Sequence, residues 1–486
     1  MTRRTAAPEP LHVVVVGGGI SGLAAAASLR RQAPDARVTV LEASPSVGGK
    51  LALAEVAGVT VDVGAESMLN RRPEATALAR EAGLSDLLVH PETISANLWT
   101  RGQMLPMPRT LMGVPVDARA LAESGVVSKA GLARAALDAV LPATRIGESD
   151  VSVGWLIEER FGKEVVDRLV EPLLGGVYAG HARELSARAT VPQVVALLDR
   201  DKSMLRAAAA ASSATSDVPV FAGLTGGLGR LPRTIAERSD IDVRTNATVR
   251  DLARRSGGGW NLVVGSAHDP ELVQADAVVL ATPAPATARL LSDVAPDAAL
   301  ELAQVDHASM AIITMAFRRR EFPHTSGSGF LVPPLDGRAV KGATYSFAKW
   351  GWVAQAGRGA DDGEDLLVMR CSIGRHREEK VLQVDDDRLV ELALHDLSDA
   401  IGLSVRPVDQ HVQRWGGGLP QYAVGHLDRV RQVRLSVAKV GALAVCGAAY
   451  DGLGIPACIA TAEAAVTQVL TALSDQLDAQ GEWTHD

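Results

Sequence analysis

The first forty residues of the chain place short apolar runs on either side of a glycine cluster. Residues 11–16 form a continuous, β-branched apolar run, which is typical of a strand covered on both faces of a parallel sheet. An alanine-rich segment over residues 21–31 has helical character and stops before Pro34. A second apolar run, Arg37–Leu41, ends at Glu42. The order of strand, glycine turn, helix and strand predicts the start of a nucleotide-binding unit.

The glycine cluster, Gly17-Gly-Gly19-Ile-Ser-Gly22, fits the pattern GxGxxG. Gly17 permits a tight turn, Gly19 lets the backbone approach a pyrophosphate, and Gly22 lets the helix pack closely on the strand. Glu42 lies 20 residues after Gly22, where an acidic side chain accepts hydrogen bonds from a ribose. The sequence therefore predicts a dinucleotide site, and these residues alone leave NAD and FAD open.

The middle of the chain has apolar positions at helical spacing. Three helices are predicted, over residues 128–141, 152–161 and 166–174. Ser152 is the predicted N-cap of the second helix and Gly162 its terminator, and the third helix is predicted to end at the pair Gly175-Gly176. The low-complexity stretch 207–215 predicts either a helix end or a mobile loop.

From about residue 241 the period changes to that of strands. The predicted strands cover residues 241–249, 260–264, 275–281, 311–317, 329–332, 366–373, 410–415 and 441–447. The first two are predicted to flank a turn at residues 256–259, and an alanine-rich helix is predicted over residues 459–473.

Composition narrows the class of protein. Hydrophobic residues make up 47% of the 486 residues and charged residues 22%, which predicts a globular chain of two or three domains. A net charge of -8 argues against nucleic-acid binding. Three cysteines without a CxxC pair predict buried apolar thiols in a reducing compartment, and the 11 histidines show no metal-ligand spacing, so no metal is predicted. Residues 11–29 are long enough for a membrane span, but the glycine cluster interrupts them, and no transmembrane segment is predicted.

Two further stretches give the first family resemblance. Glu42 is followed by Gly48-Gly49-Lys50, and then comes Asp62-Val-Gly64-Ala-Glu-Ser67. Both resemble the amine-oxidase-like flavoproteins, in which these segments lie along the pyrophosphate and the flavin, so the resemblance implies FAD. The cofactor-binding residues that it implies, together with the glycine loop, are Gly17, Gly19, Ile20, Ser21, Gly22, Glu42, Ala43, Gly48, Gly49, Lys50, Gly64, Ala65, Glu66, Ser67, Val249, Ala281, Thr282, Gly447, Gly452, Ile455 and Pro456.

The same resemblance implies the architecture. The expected class is α/β and α+β: a Rossmann-like FAD-binding domain built from three separated segments, a mixed β-sheet substrate domain, and a helical insertion. The FAD-binding segments are expected at residues 10–70, 216–300 and 436–478. The substrate domain is expected at residues 71–97 and 301–435, and the helical insertion at residues 98–215. A cleft between the domains is where substrate would meet flavin.

Longer motifs resemble the protoporphyrinogen/coproporphyrinogen oxidase family over about residues 11–473. The stretches that carry this resemblance are 160–180, 185–186, 327–333, 343–350, 370–375, 419–426 and 452–456. His181, Phe347 and Ala348 depart from the family pattern. The family chemistry is a six-electron oxidation in three steps, with hydride passing to flavin, electrons passing to O2, and hydrogen peroxide as product. It assigns the chemistry to the cofactor, so no catalytic side chain is predicted.

The porphyrinogen carries propionates, so cations are expected in the cleft. The candidates are Arg71, Arg109 and Lys341. The chain resembles the bacterial Gram-positive-type enzymes, which favours coproporphyrinogen III over the alternative substrate protoporphyrinogen IX. Three competing functions stay open: a flavin amine oxidase, a carotenoid-type desaturase and a non-catalytic FAD-binding redox partner.

The expected partners are the porphyrinogen, molecular oxygen and, by transient contact, other haem-pathway enzymes. A cytoplasmic location is expected, with peripheral membrane contact as the alternative.

Overall fold

The nucleotide-binding domain is organised around a five-stranded parallel sheet. In the computed structural model, which describes residues 10–213 and 218–482, three separated parts of the chain supply its strands. Their order across the sheet is Asp242–Arg244, Arg37–Leu41, His12–Val16, Ala277–Leu280 and Leu443–Val445. The predicted Rossmann-like domain built from three segments is therefore confirmed.

Both faces of this sheet are covered, as the continuous apolar strands predict. Val13 and Val15 belong to the core formed with helices Ile20–Gln32 and Ile455–Glu482. Val14 and Val16 belong to a second core. That core contains the three-stranded sheet Val249–Arg254, Trp260–Gly265 and Pro270–Ala275 and the helices Ala284–Leu291, Pro296–Ala303 and His426–Ala438. The predicted domain boundary at residues 435–436 lies inside the last of these helices.

One predicted strand in this region is wrong. Residues 241–249 form two strands, because Asn246 adopts the left-handed conformation (φ 54°) and turns the chain between sheets. Asp242–Arg244 completes the parallel sheet, whereas Val249–Arg254 pairs with Trp260–Gly265. An asparagine tolerates this conformation better than most residues do.

The second domain contains a mixed seven-stranded sheet, as predicted. Its strand order is Asp409–Pro420, His307–Arg318, Leu366–Ile373, Val340–Thr344, Gly329–Leu331, Asn97–Thr100 and Gln103–Pro106. Only the pair Gly329–Leu331 with Asn97–Thr100 is parallel among the described pairings of this sheet. Helix Asp386–Ile401 packs on the sheet through its apolar face.

The helical insertion contains short helices around one apolar core. They are Ala118–Glu123, Lys129–Ala136, Val153–Phe161, Lys163–Val165, Glu171–Tyr178, Ala187–Thr190, Pro192–Val195 and Met204–Ser213, with a π-helical turn at Val166–Val170. The Ser152 hydroxyl accepts a hydrogen bond from the Trp155 N–H (3.1 Å), and Gly162 ends that helix at φ 85°, so both predicted ends are confirmed.

Two predicted helix ends in the insertion are wrong. The predicted helix 128–141 tightens into a 3-10 turn at Leu137–Ala139. The pair Gly175-Gly176 lies inside helix Glu171–Tyr178, which ends at Ala179 in the left-handed conformation. Residues 204–213 are helical, and residues 214–215 of the low-complexity stretch lie outside the described part.

The insertion is held by a buried ion pair. The Nε of Arg160 lies 2.6 Å from Oδ1 of Asp138, and each side chain is 2% exposed. The other four N–H groups of Arg160 are directed to the carbonyls of Pro142, Asp138 and Lys202 and to the Thr144 hydroxyl. All five donors of the guanidinium therefore have acceptors.

Smaller elements connect these parts. They are the strands Leu53–Val56, Val59–Asp62, Met68–Leu69, Leu88–Val89, Thr110–Leu111, Val114–Pro115 and Phe221–Leu224, the helices Pro73–Glu81, Arg230–Arg238, Ser346–Lys349 and Gly351–Ala356, and the 3-10 turns Ser85–Leu87, Arg319–Glu321, Pro334–Asp336 and Glu379–Leu382. Residues Ile455–Gln476 are long and apolar enough to cross a bilayer, but half of the most apolar part of this segment is buried inside the protein. They form a core helix of the nucleotide domain.

Candidate active site

A cavity of about 800 Å³ lies between the parallel sheet and the seven-stranded sheet. Most of the predicted cofactor-binding residues line it. They are Gly17, Gly19, Ile20, Ser21, Glu42, Ala43, Gly48, Gly49, Lys50, Gly64, Ala65, Glu66, Ser67, Val249, Ala281, Thr282, Gly447 and Ile455. Further lining comes from other residues of the nucleotide-binding domain, from the seven-stranded sheet and from residues 176–177.

The three glycines of the first loop differ in the space around them. A Cβ on Gly17 would lie 2.8 Å from the Ala281 carbonyl oxygen, and Gly17 has φ 109°. A Cβ on Gly22 would lie 1.8 Å from the Gly17 carbonyl oxygen, whereas one on Gly19 would meet no atom within 4 Å. Gly17 and Gly22 thus permit the turn and the close helix packing. Gly19 leaves open space at the start of helix Ile20–Gln32, where the helix dipole favours a phosphate.

The second glycine pair packs directly on the first loop. The Gly48 N–H donates to the Gly18 carbonyl (2.9 Å), and a Cβ on Gly49 would lie 3.3 Å from Gly19 Cα. Lys50 follows as a largely buried cation that lines the cavity, and burial lowers its pKa. A cation next to open backbone N–H groups fits the anionic pyrophosphate of FAD.

Glu42 is fixed by backbone donors. Its carboxylate accepts hydrogen bonds from the N–H groups of Gly18 (2.6 Å) and Ser44 (2.7 Å). A carboxylate has about four lone-pair sites, so two acceptor positions remain for ribose hydroxyls. The cavity wall beside Glu42 includes Ala43 and Val249, as expected for the adenosine end.

A buried group of charges holds the segment 62–67. The Glu66 carboxylate lies 2.7 Å from Lys349 Nζ and 3.3 Å from Arg370 Nη1. Burial would raise the pKa of Glu66, but the ion pairs with Lys349 and Arg370 outweigh it and hold the pKa at about 2. Arg370 also donates to the carbonyls of Asp62 (3.1 Å) and Gly64 (2.7 Å).

Asp62 anchors a neighbouring turn. Its carboxylate accepts from the backbone N–H groups of Leu228 (2.9 Å) and Gly229 (3.1 Å). Burial raises the pKa of Asp62 to about 7, although these two N–H groups favour the ionised form. The segment from Asp62 to Ser67 is thus fixed from both sides before any cofactor binds.

The closing segment lies beside the glycine loops. The Gly447 N–H donates to the Thr461 hydroxyl (3.0 Å), and the Tyr422 hydroxyl donates to the Ala448 carbonyl (2.6 Å). The ring of His426 stacks on Tyr422, and burial lowers the pKa of His426 to about 4. These contacts agree with a structural role for the last two side chains.

Three predicted cofactor residues do not line the cavity. Gly22 packs behind the loop. Gly452 lies in the turn before Ile455, and Pro456 follows Ile455 in the first turn of helix Ile455–Glu482. Gly452 has φ 146°, which is a glycine conformation.

The three cationic residues that are predicted to bind the substrate have different environments. Arg71 and Arg109 are exposed and do not line the cavity. Lys341 is 2% exposed, and its neighbour Gly342 lines the cavity. These roles stay predictions.

Several cavity residues received no role from the sequence. Arg370 and Lys349 lie within stretches that carry the family resemblance, so a role for buried cations could have been sought there. His307, Met310 and Trp415 also line the cavity and have no motif of their own. The three cysteines are free and buried, as predicted.

The donor set fits FAD. The groups that suit it follow one another along the cavity wall. They are two glycine loops whose space a Cβ would occupy, a helix N-terminus, a desolvated lysine and a fixed carboxylate. Their order matches the pyrophosphate and ribose of a dinucleotide. The 62–67 segment extends this wall towards the seven-stranded sheet.

Comparison with known proteins agrees with this geometry. The family model for flavin containing amine oxidoreductases matches residues 20–470. The protein named Coproporphyrinogen III oxidase of Mycobacterium tuberculosis (strain ATCC 25618 / H37Rv) is 38% identical over 96% of this chain and 99% of its own. The protein of the same name from Bacillus subtilis (strain 168) is 30% identical over 95% and 98%.

Solved structures give the same result. A candidate protoporphyrinogen oxidase from Exiguobacterium sp. 255-15 superposes with a TM-score of 0.84 at 30% identity, covering 94% of this chain and 98% of its own. Putrescine oxidase bound to putrescine has a TM-score of 0.65 at 16% identity, covering 95% and 100%, which shows the shared fold alone. The chain therefore belongs to the family of flavin-containing amine oxidoreductases and is an FAD-dependent oxidase.

Proposed function

We propose that this protein oxidises coproporphyrinogen III to coproporphyrin III with FAD and O2, as a step of haem biosynthesis. The observation that carries the proposal is the full-length similarity to relatives named Coproporphyrinogen III oxidase, which reaches 38% identity. The Arabidopsis thaliana protein named Protoporphyrinogen oxidase 1, chloroplastic, is 26% identical over 90% of the chain. This difference favours coproporphyrinogen III, and protoporphyrinogen IX stays as the second candidate.

The reaction is balanced by oxygen. One porphyrinogen and three O2 give one porphyrin and three hydrogen peroxide, so each of three steps removes one hydride and one proton. FAD, when bound, supplies the acceptor for the hydride from a substrate carbon and passes the electrons to O2. The protein itself binds the substrate, orients it and excludes water from it.

The cavity wall offers apolar surface to the tetrapyrrole macrocycle. Leu331, Leu419, Leu453 and Phe330 contribute apolar surface to its wall. Burial of apolar faces provides about 25 cal/mol per Å² of binding energy, and it excludes water from the reacting carbon. The ion-paired segment 62–67 forms the adjoining wall, so its position does not have to be organised when the substrate enters.

His307 can receive the proton that leaves with each hydride. Its Nδ1 lies 2.8 Å from the Val305 carbonyl oxygen, so Nδ1 carries the hydrogen. Burial lowers the pKa of His307, and Lys50 adds to this effect. A neutral imidazole in this tautomer leaves Nε2 as an acceptor in the cavity wall.

The substrate carboxylates need cations. Of Arg71, Arg109 and Lys341, only Lys341 adjoins residues of the cavity wall, whereas the two arginines are exposed outside it. We assign Lys341 the role of binding the substrate carboxylate that lies deepest in the cavity. The arginines remain candidates for carboxylates that protrude from the cavity.

The proposed setting follows the sequence expectations. Three free cysteines support a reducing, cytoplasmic location, with peripheral membrane contact as the alternative. O2 is the proposed electron acceptor, and transient contact with haem-pathway enzymes would pass on the porphyrin.

The test is a porphyrin fluorescence time course in air. FAD-loaded protein receives coproporphyrinogen III and protoporphyrinogen IX in parallel, with boiled protein as the control for spontaneous oxidation. We expect a faster rise with coproporphyrinogen III and one hydrogen peroxide per two electrons. A faster rise with protoporphyrinogen IX would move the protein to that substrate.

A second arm tests amine oxidation and cofactor binding without turnover. If neither porphyrinogen gives fluorescence above the boiled control, the porphyrinogen proposal fails. Hydrogen peroxide formation from amines would then support an amine oxidase. FAD binding without peroxide from either class would support a non-catalytic redox partner.

A further inference from the structure

Lys341 is a buried lysine at an irregularity of the seven-stranded sheet. Strand Val340–Thr344 pairs with Leu366–Ile373, and the register shifts between Val340, which faces Ile373, and Gly342, which faces Ser372. Lys341 is the residue at this shift, and it is 2% exposed. A bulge of this kind redirects one side chain without ending the strand.

The amine of Lys341 has no anionic partner among the described residues. Its single described hydrogen-bond contact is with the Met310 sulfur, 3.8 Å away, which is a weak acceptor. The charged group beside it is another buried cation, Arg375. Arg375 is engaged elsewhere, with the Val332 carbonyl (3.1 Å) and Glu378 (3.5 Å). Two buried cations thus influence one another electrostatically, and no described carboxylate forms an ion pair with Lys341.

Carboxylates near this part of the sheet are engaged by other groups. Asp396, on helix Asp386–Ile401, accepts from the Val340 N–H (2.9 Å) and pairs with Arg338 (3.6 Å). The Glu171 carboxylate lies near Arg183 (3.7 Å) and His181 (3.8 Å). The charge of Lys341 is therefore not compensated from within the fold.

Burial of an uncompensated cation favours loss of its proton. Burial, together with the neighbouring charge of Arg375, lowers the pKa of Lys341 to about 7. Close to neutral pH the amine is thus shared between its neutral and its charged form. An anion that arrived beside it would raise the pKa again.

Lys341 adjoins the cavity through two residues. Met310 and Gly342 both line the cavity, and Met310 also contacts the amine. A methionine side chain is unbranched and flexible, so it can move aside, and glycine adds no side chain to the wall. An anion inside the cavity can then reach Nζ.

We propose that Lys341 receives one carboxylate of the substrate behind a movable Met310 and takes up a proton from water as the carboxylate binds. The inference rests on the proposed porphyrinogen oxidase function and adds a proton-linked step to it. The product is an ammonium–carboxylate pair, formed from a neutral amine, a carboxylate and one proton. The proton comes from hydronium or a buffer acid in the solvent: an N–H bond forms on Lys341 as an O–H bond of the donor breaks, and nothing is oxidised or reduced.

This linkage predicts a particular pH dependence of binding. Below pH 7 the free amine is already charged, so the dissociation constant is constant. Above pH 7 each binding event must first protonate the amine, so the dissociation constant rises by about tenfold per pH unit until the pKa of the complex is reached. Proton uptake rises over the same range.

The experiment measures binding of coproporphyrin III, which keeps the carboxylates of the substrate, to FAD-loaded protein from pH 6 to 9. Fluorescence titration gives the dissociation constant, and an indicator dye in weak buffer gives the protons taken up. The variants are Lys341→Met, Lys341→Arg and the exposed control Lys129→Met. The tetramethyl ester of coproporphyrin III serves as the ligand without charges.

We expect wild type and Lys129→Met to lose affinity by about tenfold between pH 6 and 8, with uptake approaching one proton at pH 8. Lys341→Met should bind about tenfold or more weakly at pH 6, with no proton uptake. Lys341→Arg should bind without this pH dependence, because arginine stays charged. The ester should bind all variants equally.

Unchanged affinity and unchanged proton uptake in Lys341→Met would overturn the role of Lys341, while porphyrinogen turnover would still stand. If wild-type protein neither binds coproporphyrin III nor oxidises a porphyrinogen, the proposed function fails and this inference fails with it. FAD content is recorded for each variant, and the proton count on wild type decides the matter even if Lys341→Arg does not fold.

Discussion

Arg160 and Lys341 are both buried to 2% exposure, yet their surroundings differ completely. Arg160 directs all five of its N–H groups at acceptors, including the Asp138 carboxylate 2.6 Å away. Lys341 has a methionine sulfur and a second cation. A buried charge that the fold compensates fixes structure. One that the fold leaves uncompensated keeps a binding capacity for something outside the chain.

Removing the compensated cation should have the largest effect. Arg160→Met leaves the Asp138 carboxylate buried beside the Ser203 hydroxyl without its counter-ion. We expect a loss of about 3–5 kcal/mol in the free energy of unfolding. Chemical denaturation followed by tryptophan fluorescence, to which Trp155 in the same helix as Arg160 contributes, measures it. The double variant Asp138→Leu/Arg160→Met should recover part of the loss, and no recovery would contradict the ion-pair explanation.

Removing the uncompensated cation should act in the opposite direction. The pKa of Lys341 is lowered to about 7 from 10.5, so between these values the unfolded chain binds more protons and wild-type stability rises with pH. Lys341→Met should be more stable than wild type at pH 6, by about 2–4 kcal/mol, and the gain should shrink towards pH 10. Denaturation at several pH values checks this, with Lys129→Met as the control. A destabilised Lys341→Met at pH 6 would count against an unpaired charge.

Glu66 is an intermediate case, because it is paired but lies in the cavity wall. Glu66→Gln should cost about 1–3 kcal/mol of stability, since Lys349 and Arg370 lose their anion. The wild-type pKa of about 2 lies below the ordinary 4.5, so this stabilisation is present above pH 4.5 and is lost as the pH falls towards 2. Acid denaturation of the variant should lack that component. The exposed Glu271→Gln, which breaks a surface pair with Arg244, is the control.

Breaking a surface ion pair should have the smallest effect on the free energy of unfolding. Arg119 and Glu123 are paired at 2.6 Å but are 86% and 63% exposed. Arg119→Met should change the free energy of unfolding by less than about 1 kcal/mol. A larger loss would show that distance, rather than burial, decides what these pairs contribute.

Much of the cofactor site follows from the sequence because its chemistry is local. The glycines of the first loop have fixed spacing, and the close contact between Gly22 and the Gly17 carbonyl lies within the loop. The helix ends at Ser152 and Gly162 were predictable for the same reason. Their capping groups lie within a few residues along the chain.

The remainder depends on distant residues. Glu66 meets Lys349 and Arg370 only because the seven-stranded sheet brings them together, and no spacing along the chain records this. The misassigned strand over residues 241–249 alternates apolar and polar residues throughout, as one strand would, and its two ends belong to two different sheets with the break at Asn246. The unpaired state of Lys341 is likewise visible only when every neighbour is known.

The way the parallel sheet is assembled has a consequence for how the protein is made. Strand His12–Val16 cannot pair with Ala277–Leu280 until that strand has been synthesised. Ala277–Leu280 in turn cannot pair with Leu443–Val445 until the chain is nearly complete. At about 5–20 residues per second, the ribosome needs on the order of tens of seconds to supply what is missing. During this time the β-branched edge of the first strand lacks its partner and is open to aggregation. Gly447 and Ile455 belong to the cavity wall, so the site for FAD is complete only after nearly the whole chain has been made.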